Sequence, residues 1–171
     1  HRRSGTTVCM INHLSRSALL SKLKNPRYAY IAPTFKQAKS IAWDYMKQFT
    51  AKIPHTKFNE TELRVDLPNG SRITLLGSES PDGLRGIYLD GCVIDEYANV
   101  NSKLFPEIIR PALSDRKGYC VFIGTPMGMN NNFYELYQHA QGAEDWFNYK
   151  AKASDTKIVD NDELVKAKED D

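Results

Sequence analysis

Cys92-Val93-Ile94-Asp95-Glu96 decides the fold, because three apolar residues run directly into two adjacent carboxylates. A short continuous apolar run is the signature of a strand covered on both faces, and such strands belong to parallel sheets flanked by helices. Tyr119-Cys120-Val121-Phe122-Ile123 repeats the pattern and ends at Gly124-Thr125-Pro126, while Tyr28-Ala29-Tyr30-Ile31-Ala32, stopped by Pro33, is a third run of the same kind. Helical periodicity fills the intervals. Met10, Ile11, Leu14, Ala18 and Leu19 recur at spacings near three and four within a helix expected from Val8 to Leu23, which Asn25-Pro26 ends. A second helix is expected from Phe35 to Lys52, capped by Thr34, with Ala38, Ile41, Ala42, Tyr45, Met46 and Phe49 on its buried face.

Between these elements the period changes to two. Leu63, Val65 and Leu67 alternate before the turn Pro68-Asn69-Gly70-Ser71, and Ile73, Leu75 and Leu76 follow it, as in a β-hairpin. Gly77 to Gly86 has the composition of a functional loop, Pro106 and Pro111 bracket a short helical piece around Ile108, and Asp160 with Glu163 forms a capping-box signal for a last helix to Lys168. Strands alternating with helices give an α/β class: a mostly parallel central sheet flanked by helices, with a β-hairpin insertion.

The bulk properties set limits. A chain of 171 residues accommodates one domain, and 41% hydrophobic with 26% charged residues matches a packed globular protein. No apolar run is long enough to span a membrane. The three cysteines, Cys9, Cys92 and Cys120, lie in apolar stretches without metal-motif spacing and are expected to be buried free thiols, which suits a reducing cytoplasm. His1, His13, His55 and His139 lack ligand spacing, so no structural metal is expected. The net charge of +2 makes any nucleic-acid contact a local matter.

The chemistry-bearing residues cluster where strands end. Ser4-Gly5-Thr6-Thr7 enters a helix, whose first N–H groups and dipole favour an anion such as phosphate. In the pattern G-x-x-x-x-G-K-[ST], Gly5 would be the second glycine and Thr7 the magnesium-binding hydroxyl. Thr6 then occupies the lysine position, and Arg2 and Arg3 lie just upstream as substitute cations. Asp95 at a buried strand end can hold hydrated magnesium, and Glu96 beside it can accept a proton from an attacking water. Thr125 follows the next strand at the same edge, where it can sense a γ-phosphate, and Arg85 projects from Gly83-Leu84-Arg85-Gly86 as a charge-stabilising finger would. Each feature also has a plainer reading: a helix cap, acids closing a strand in solvent, a turn, an exposed arginine.

Taken together, His1-Arg2-Arg3-Ser4-Gly5-Thr6-Thr7, Leu84-Arg85-Gly86, Val93-Ile94-Asp95-Glu96-Tyr97 and Thr125-Pro126-Met127-Gly128, with Asn130 and Phe133-Tyr134 beyond, resemble large terminase subunits of tailed double-stranded DNA phages, in order and in spacing. The resemblance implies a P-loop NTPase fold of the additional-strand, catalytic-glutamate class, with residues 1–171 forming the ATPase domain and a preceding strand and a following nuclease domain lying outside them. It implies ATP and Mg2+ as cofactors, Arg2, Arg3, Ser4, Gly5, Thr6 and Thr7 around the phosphates, Asp95 and Thr7 at the metal, Glu96 as the water-activating base, Thr125 as the coupling residue, and Arg85 acting on a neighbouring subunit. It further implies double-stranded DNA, a portal protein, a small terminase subunit and copies of itself in a ring as partners, in the host cytoplasm and away from membranes. Thr6 departs from the family's lysine, which would impair ATP binding and turnover. Other readings are a helicase-like ATPase, or a degenerate, non-hydrolysing domain that binds DNA or supports assembly.

Overall fold

The computed structural model describes residues 5–151. The expected helix after Asp160 lies outside these residues, as do Arg2, Arg3 and Ser4. Helix α1 (Thr6–Leu20) starts two residues earlier than its apolar periodicity suggests, from Gly5 in the left-handed conformation (φ 73°), a geometry glycine adopts without a Cβ clash. Ile11, Leu14, Ser15 and Ala18 form its buried face. The helix ends at Leu20 rather than Leu23 for a tertiary reason. The Asn69 side-chain amide, from a distant turn, donates to the carbonyls of Ala18 and Leu19, and the Ser71 hydroxyl donates to Ala18 O, so these terminal carbonyls are satisfied from outside.

Strand β1 (Arg27–Ala32) follows, and Thr34 then caps α2 (Phe35–Ala38) through a capping box with Gln37. A π-helical turn, Lys39–Trp43, separates α2 from α3 (Asp44–Thr50). The extra residue in that turn rotates the helical face. Ala38, Ala42 and Met46 are buried as expected and Trp43 joins them, whereas Ile41 and Tyr45, expected in the core, are 37% and 41% exposed. The Trp43 indole N–H is satisfied by Glu60 Oε2 at 2.6 Å.

β2 (Lys57–Asn59), β3 (Arg64–Asp66) and β4 (Arg72–Gly77) pair antiparallel, β3 and β4 across the Pro68-Asn69-Gly70-Ser71 turn. Leu63, Val65, Leu67, Ile73 and Leu75 are buried, as their alternation requires. After a 3-10 turn (Pro81–Leu84), β5 (Gly91–Ile94) enters the sheet beside β1, buried at every position. The proline-bracketed piece forms a π turn (Phe105–Ile109) continued by α4 (Arg110–Ser114). β6 (Tyr119–Phe122) and α5 (Asn132–Ala140) complete the described elements.

The strands form one six-stranded sheet in the order β2-β3-β4-β1-β5-β6, with β4, β1, β5 and β6 mutually parallel. Alternating residues of β1 separate two apolar layers. Tyr28, Tyr30 and Ala32 pack with Ile11, Leu14, Trp43 and Met46 beneath α1 and α3, and Ala29 and Ile31 pack with Ile94, Leu104 and Ile109 on the opposite face. Each fully buried large aliphatic side chain contributes about 1.5–3 kcal/mol.

Two further expectations are corrected. β6 is half-buried at all four positions instead of covered on both faces, because among the described strands it pairs only with β5. Cys9 is exposed, on the side of α1 opposite Ile11 and Leu14, and Cys120 is half-buried, whereas Cys92 is buried and its Sγ lies 3.4 Å from that of Cys120 across the β5–β6 register. No helix among the described residues is long and apolar enough to cross a membrane.

Candidate functional site

A cleft of about 660 Å³ opens at the C-terminal edge of the parallel strands, where α/β sheets bind ligands. Three separate elements converge on it: Gly5, Thr6 and Thr7 at the start of α1, Asp95 and Glu96 after β5, and Gly124 and Thr125 after β6. The strand ends arrive together because β5 and β6 are parallel neighbours, with Ile94 opposite Phe122. The helix start arrives because α1 lies over the sheet with its N-terminus at the same edge.

Asp95 is the hub. It is only 4% exposed, and an uncompensated buried carboxylate would be costly. Its Oδ2 accepts from the Thr7 hydroxyl at 2.9 Å and from the Tyr30 hydroxyl at 2.5 Å, and its Oδ1 accepts from the Glu96 backbone N–H at 2.8 Å. Burial, then the charge and hydrogen bond of Asp95, push the Tyr30 phenol far above its ordinary range, so it remains a neutral donor.

Glu96 is half-buried and sits in the left-handed region at φ 48°, ψ 46°. A residue with a Cβ there carries about 1–2 kcal/mol of strain. Its neighbours over-determine that geometry: Tyr97 N–H donates to Ile123 O at 3.1 Å, Asn99 N–H donates to Glu96 O at 2.8 Å, and a Cβ on Gly124 would come within 3.4 Å of Glu96 Cα. Glu96 and the turn bearing Thr125 are therefore locked side by side.

Arg85 does not line this cleft. Its Nη2 lies 3.8 Å from Glu107 Oε2, and the side chain is 57% exposed. Aromatic side chains contribute much of the remaining lining, with Tyr45, Phe133, Tyr134 and Tyr137 among them. α5 carries the last three and was not anticipated from the sequence. Its signals were present in Asn131, whose side chain accepts from Phe133 N and Tyr134 N, and in the spacing of Phe133, Leu136, Tyr137 and Ala140. The sequence marks Tyr30 only as a strand residue, since nothing local distinguishes a core tyrosine from one aimed at a carboxylate.

Fold and cleft define an α/β domain built around an anion-accepting helix start and a strand-end carboxylate pair. The family model "Terminase large subunit, T4likevirus-type, N-terminal" matches residues 2–170, and the chain belongs to that family. Similar relatives include the terminase large subunits of Thermus phage G20c and Thermus virus P23-45, each 30% identical over 126 residues, covering 63% of this chain and 26% of the relative. The chain thus spans about a quarter of the length of those curated relatives. Among solved structures, the Thermus phage P74-26 large terminase ATPase domain superposes with a TM-score of 0.67 at 23% identity, covering 91% of this chain and 66% of that one. The large terminase of a thermophilic bacteriophage in complex with ADP gives 0.79 at 16% identity, covering 98% and 42%. The HK97 bacteriophage large terminase gives 0.77 at 14%, covering 99% and 41%. At these identities the likeness is one of fold.

Proposed function

We propose that this chain is the ATP-hydrolysing motor domain of a packaging terminase, of the additional-strand, catalytic-glutamate class, which moves double-stranded DNA into a procapsid. The observation that carries the reading is the Thr7–Asp95 hydrogen bond, which joins the helix start to the strand-end carboxylate inside one cleft. Membership of the terminase family and the ADP named for the thermophilic bacteriophage enzyme support it.

The donor chemistry fits Mg2+. Thr7 spends its hydroxyl proton on Asp95 and keeps its oxygen lone pairs, and Asp95 Oδ1 has capacity left beyond the Glu96 N–H. Among the described residues, no cluster of three or more His, Cys, Asp or Glu could hold a metal, and Mg2+ characteristically takes only one or two protein oxygens when phosphates supply the rest. Asp95 and Thr7 would hold the ion, which when bound neutralises charge on the β- and γ-phosphates.

The remaining work falls to the chain itself. Arg2, Arg3, Ser4, Gly5 and Thr6 would surround the phosphates at the start of α1. Glu96 accepts the proton of the water that attacks the γ-phosphorus. Thr125, held against Glu96 through Gly124, reports loss of the phosphate to the turn after β6. Arg85, outside its own cleft, would act on the ATP of a neighbouring copy in a ring. Portal protein, small terminase subunit and DNA complete the assembly in the host cytoplasm, and DNA is held through backbone phosphates and is therefore salt-sensitive.

Thr6 at the lysine position weakens phosphate binding. MgATP binding and steady-state hydrolysis are compared for the chain, its Thr6→Lys variant and Thr6→Lys/Glu96→Ala. Thr6→Lys gains activity, and removing Glu96 lowers it by about 10²–10⁴-fold. If neither the chain nor Thr6→Lys binds MgATP, the reading fails, and a non-hydrolysing assembly role replaces it.

A further inference from the structure

Tyr30 lies one strand away from the carboxylates and carries no expected role in phosphoryl transfer. It is fully buried, packed in the apolar layer with Ile11, Leu14, Met46 and Val93. Phenylalanine would fill that space equally well, and a buried hydroxyl costs free energy unless it is paired. Its one donor goes to Asp95 Oδ2 at 2.5 Å, across 65 residues of sequence.

A carboxylate offers about four lone-pair positions, two on each oxygen. Tyr30 and Thr7 take those on Oδ2, and the Glu96 N–H takes one on Oδ1. The single position left is on Oδ1, and its direction is set by the three donors. Of these, the phenol is held most rigidly, because its ring is enclosed by core side chains, whereas Thr7 and Glu96 line the cleft.

We propose that Tyr30 is a positioning residue for metal binding: its hydroxyl commits Asp95 Oδ2 to the protein and aims the free Oδ1 position at a divalent cation or its water. This rests on the nucleotide reading above. Outer groups that orient a metal-binding carboxylate typically change metal affinity by about 10–100-fold when removed, and Tyr30→Phe deletes only the hydroxyl.

The test separates metal-dependent from metal-independent binding. Mn2+ affinity in the presence of ADP is measured by electron paramagnetic resonance, and ADP binding in EDTA by calorimetry, for the chain, Tyr30→Phe and Asp95→Asn. The expected result is Mn2+·ADP binding about 10–100-fold weaker in Tyr30→Phe, with ADP binding in EDTA unchanged, and a larger metal loss in Asp95→Asn. If Tyr30→Phe binds Mn2+·ADP like its parent while Asp95→Asn does not, the positioning role is overturned and the nucleotide reading stands. If neither the parent nor Thr6→Lys binds Mn2+·ADP, both are overturned; if only Thr6→Lys binds it, Tyr30→Phe is compared in that background and the same outcomes decide. A second measurement needs no Tyr30 variant. In parent protein carrying 13Cζ-tyrosine, the signal displaced by Asp95→Asn is assigned to Tyr30. It moves on addition of Mg2+·ADP but not of ADP in EDTA, and a signal indifferent to the metal overturns the role.

Discussion

Replacing Glu96 by glycine should leave the protein more stable than replacing it by alanine, although both destroy the activity proposed for it. Glu96 holds φ 48°, ψ 46°, where an L-residue with a Cβ costs about 1–2 kcal/mol and glycine costs almost nothing. Glycine also enlarges the unfolded ensemble, which returns about 0.4–1 kcal/mol relative to alanine. Comparison of Glu96→Gly with Glu96→Ala cancels the lost carboxylate and isolates the backbone. Glycine should be the more stable by about 0.5–1 kcal/mol, the difference between those two terms, or about 1–4 °C in Tm for a domain of this size. Urea and thermal denaturation measure this, and ATP hydrolysis in the Thr6→Lys background should be lost in both variants. A glycine variant no more stable than the alanine variant would refute strain at this residue. The physical meaning is that Glu96 is held in an unfavourable conformation by Asp95, Tyr97, Asn99 and the Gly124 turn, as strained functional residues commonly are.

Two further outcomes are expected. Burial resists ionisation of Asp66, but the hydrogen bonds and charges of Arg72 and Arg64 outweigh it and hold its carboxyl below the usual range. The stability it adds is therefore fully present above about pH 4 and is lost as pH falls through the depressed value. Asp66→Asn should cost about 1 kcal/mol at pH 7, with the gap to the parent closing below about pH 4; a constant gap across an acid titration would contradict this. In thiol titration of the folded chain, Cys9 should react first and rapidly, since it is exposed. Cys120, whose thiol is raised first by burial and then by its hydrogen bond with Cys92, should react with the reagent only on unfolding, as should the buried Cys92. Equal rates for the three would place the β5–β6 pairing in error.

Much of this site was legible because its signals are local. A strand that ends in Asp95-Glu96 delivers those groups to a sheet edge whatever its neighbours are, and the same holds for Thr125 after the next apolar run. Gly5 before an apolar-periodic helix likewise marks a helix start without reference to the rest of the chain. Arg85 was legible only as an arginine in a glycine-flanked turn; its position against Glu107 and outside the cleft depends on how that turn packs. Tyr45 and Ile41 were misplaced because the π turn at Lys39–Trp43 changes the helical period in mid-helix, and the exposed faces change with it. The end of α1 was misplaced because Asn69 and Ser71, far along the chain, take its last carbonyls.

The amino-acid sequence by itself determined the alternation of strands and helices, the residues at each strand end and the family, since periodicity, caps and motifs act over a few residues. The tertiary structure alone decided the lateral order β2-β3-β4-β1-β5-β6 and the pairing of Cys92 with Cys120. It also decided the three-donor hold of Thr7, Tyr30 and Glu96 on Asp95. These depend on which side chains fill a shared space once distant segments meet, and no local pattern along the chain carries that information.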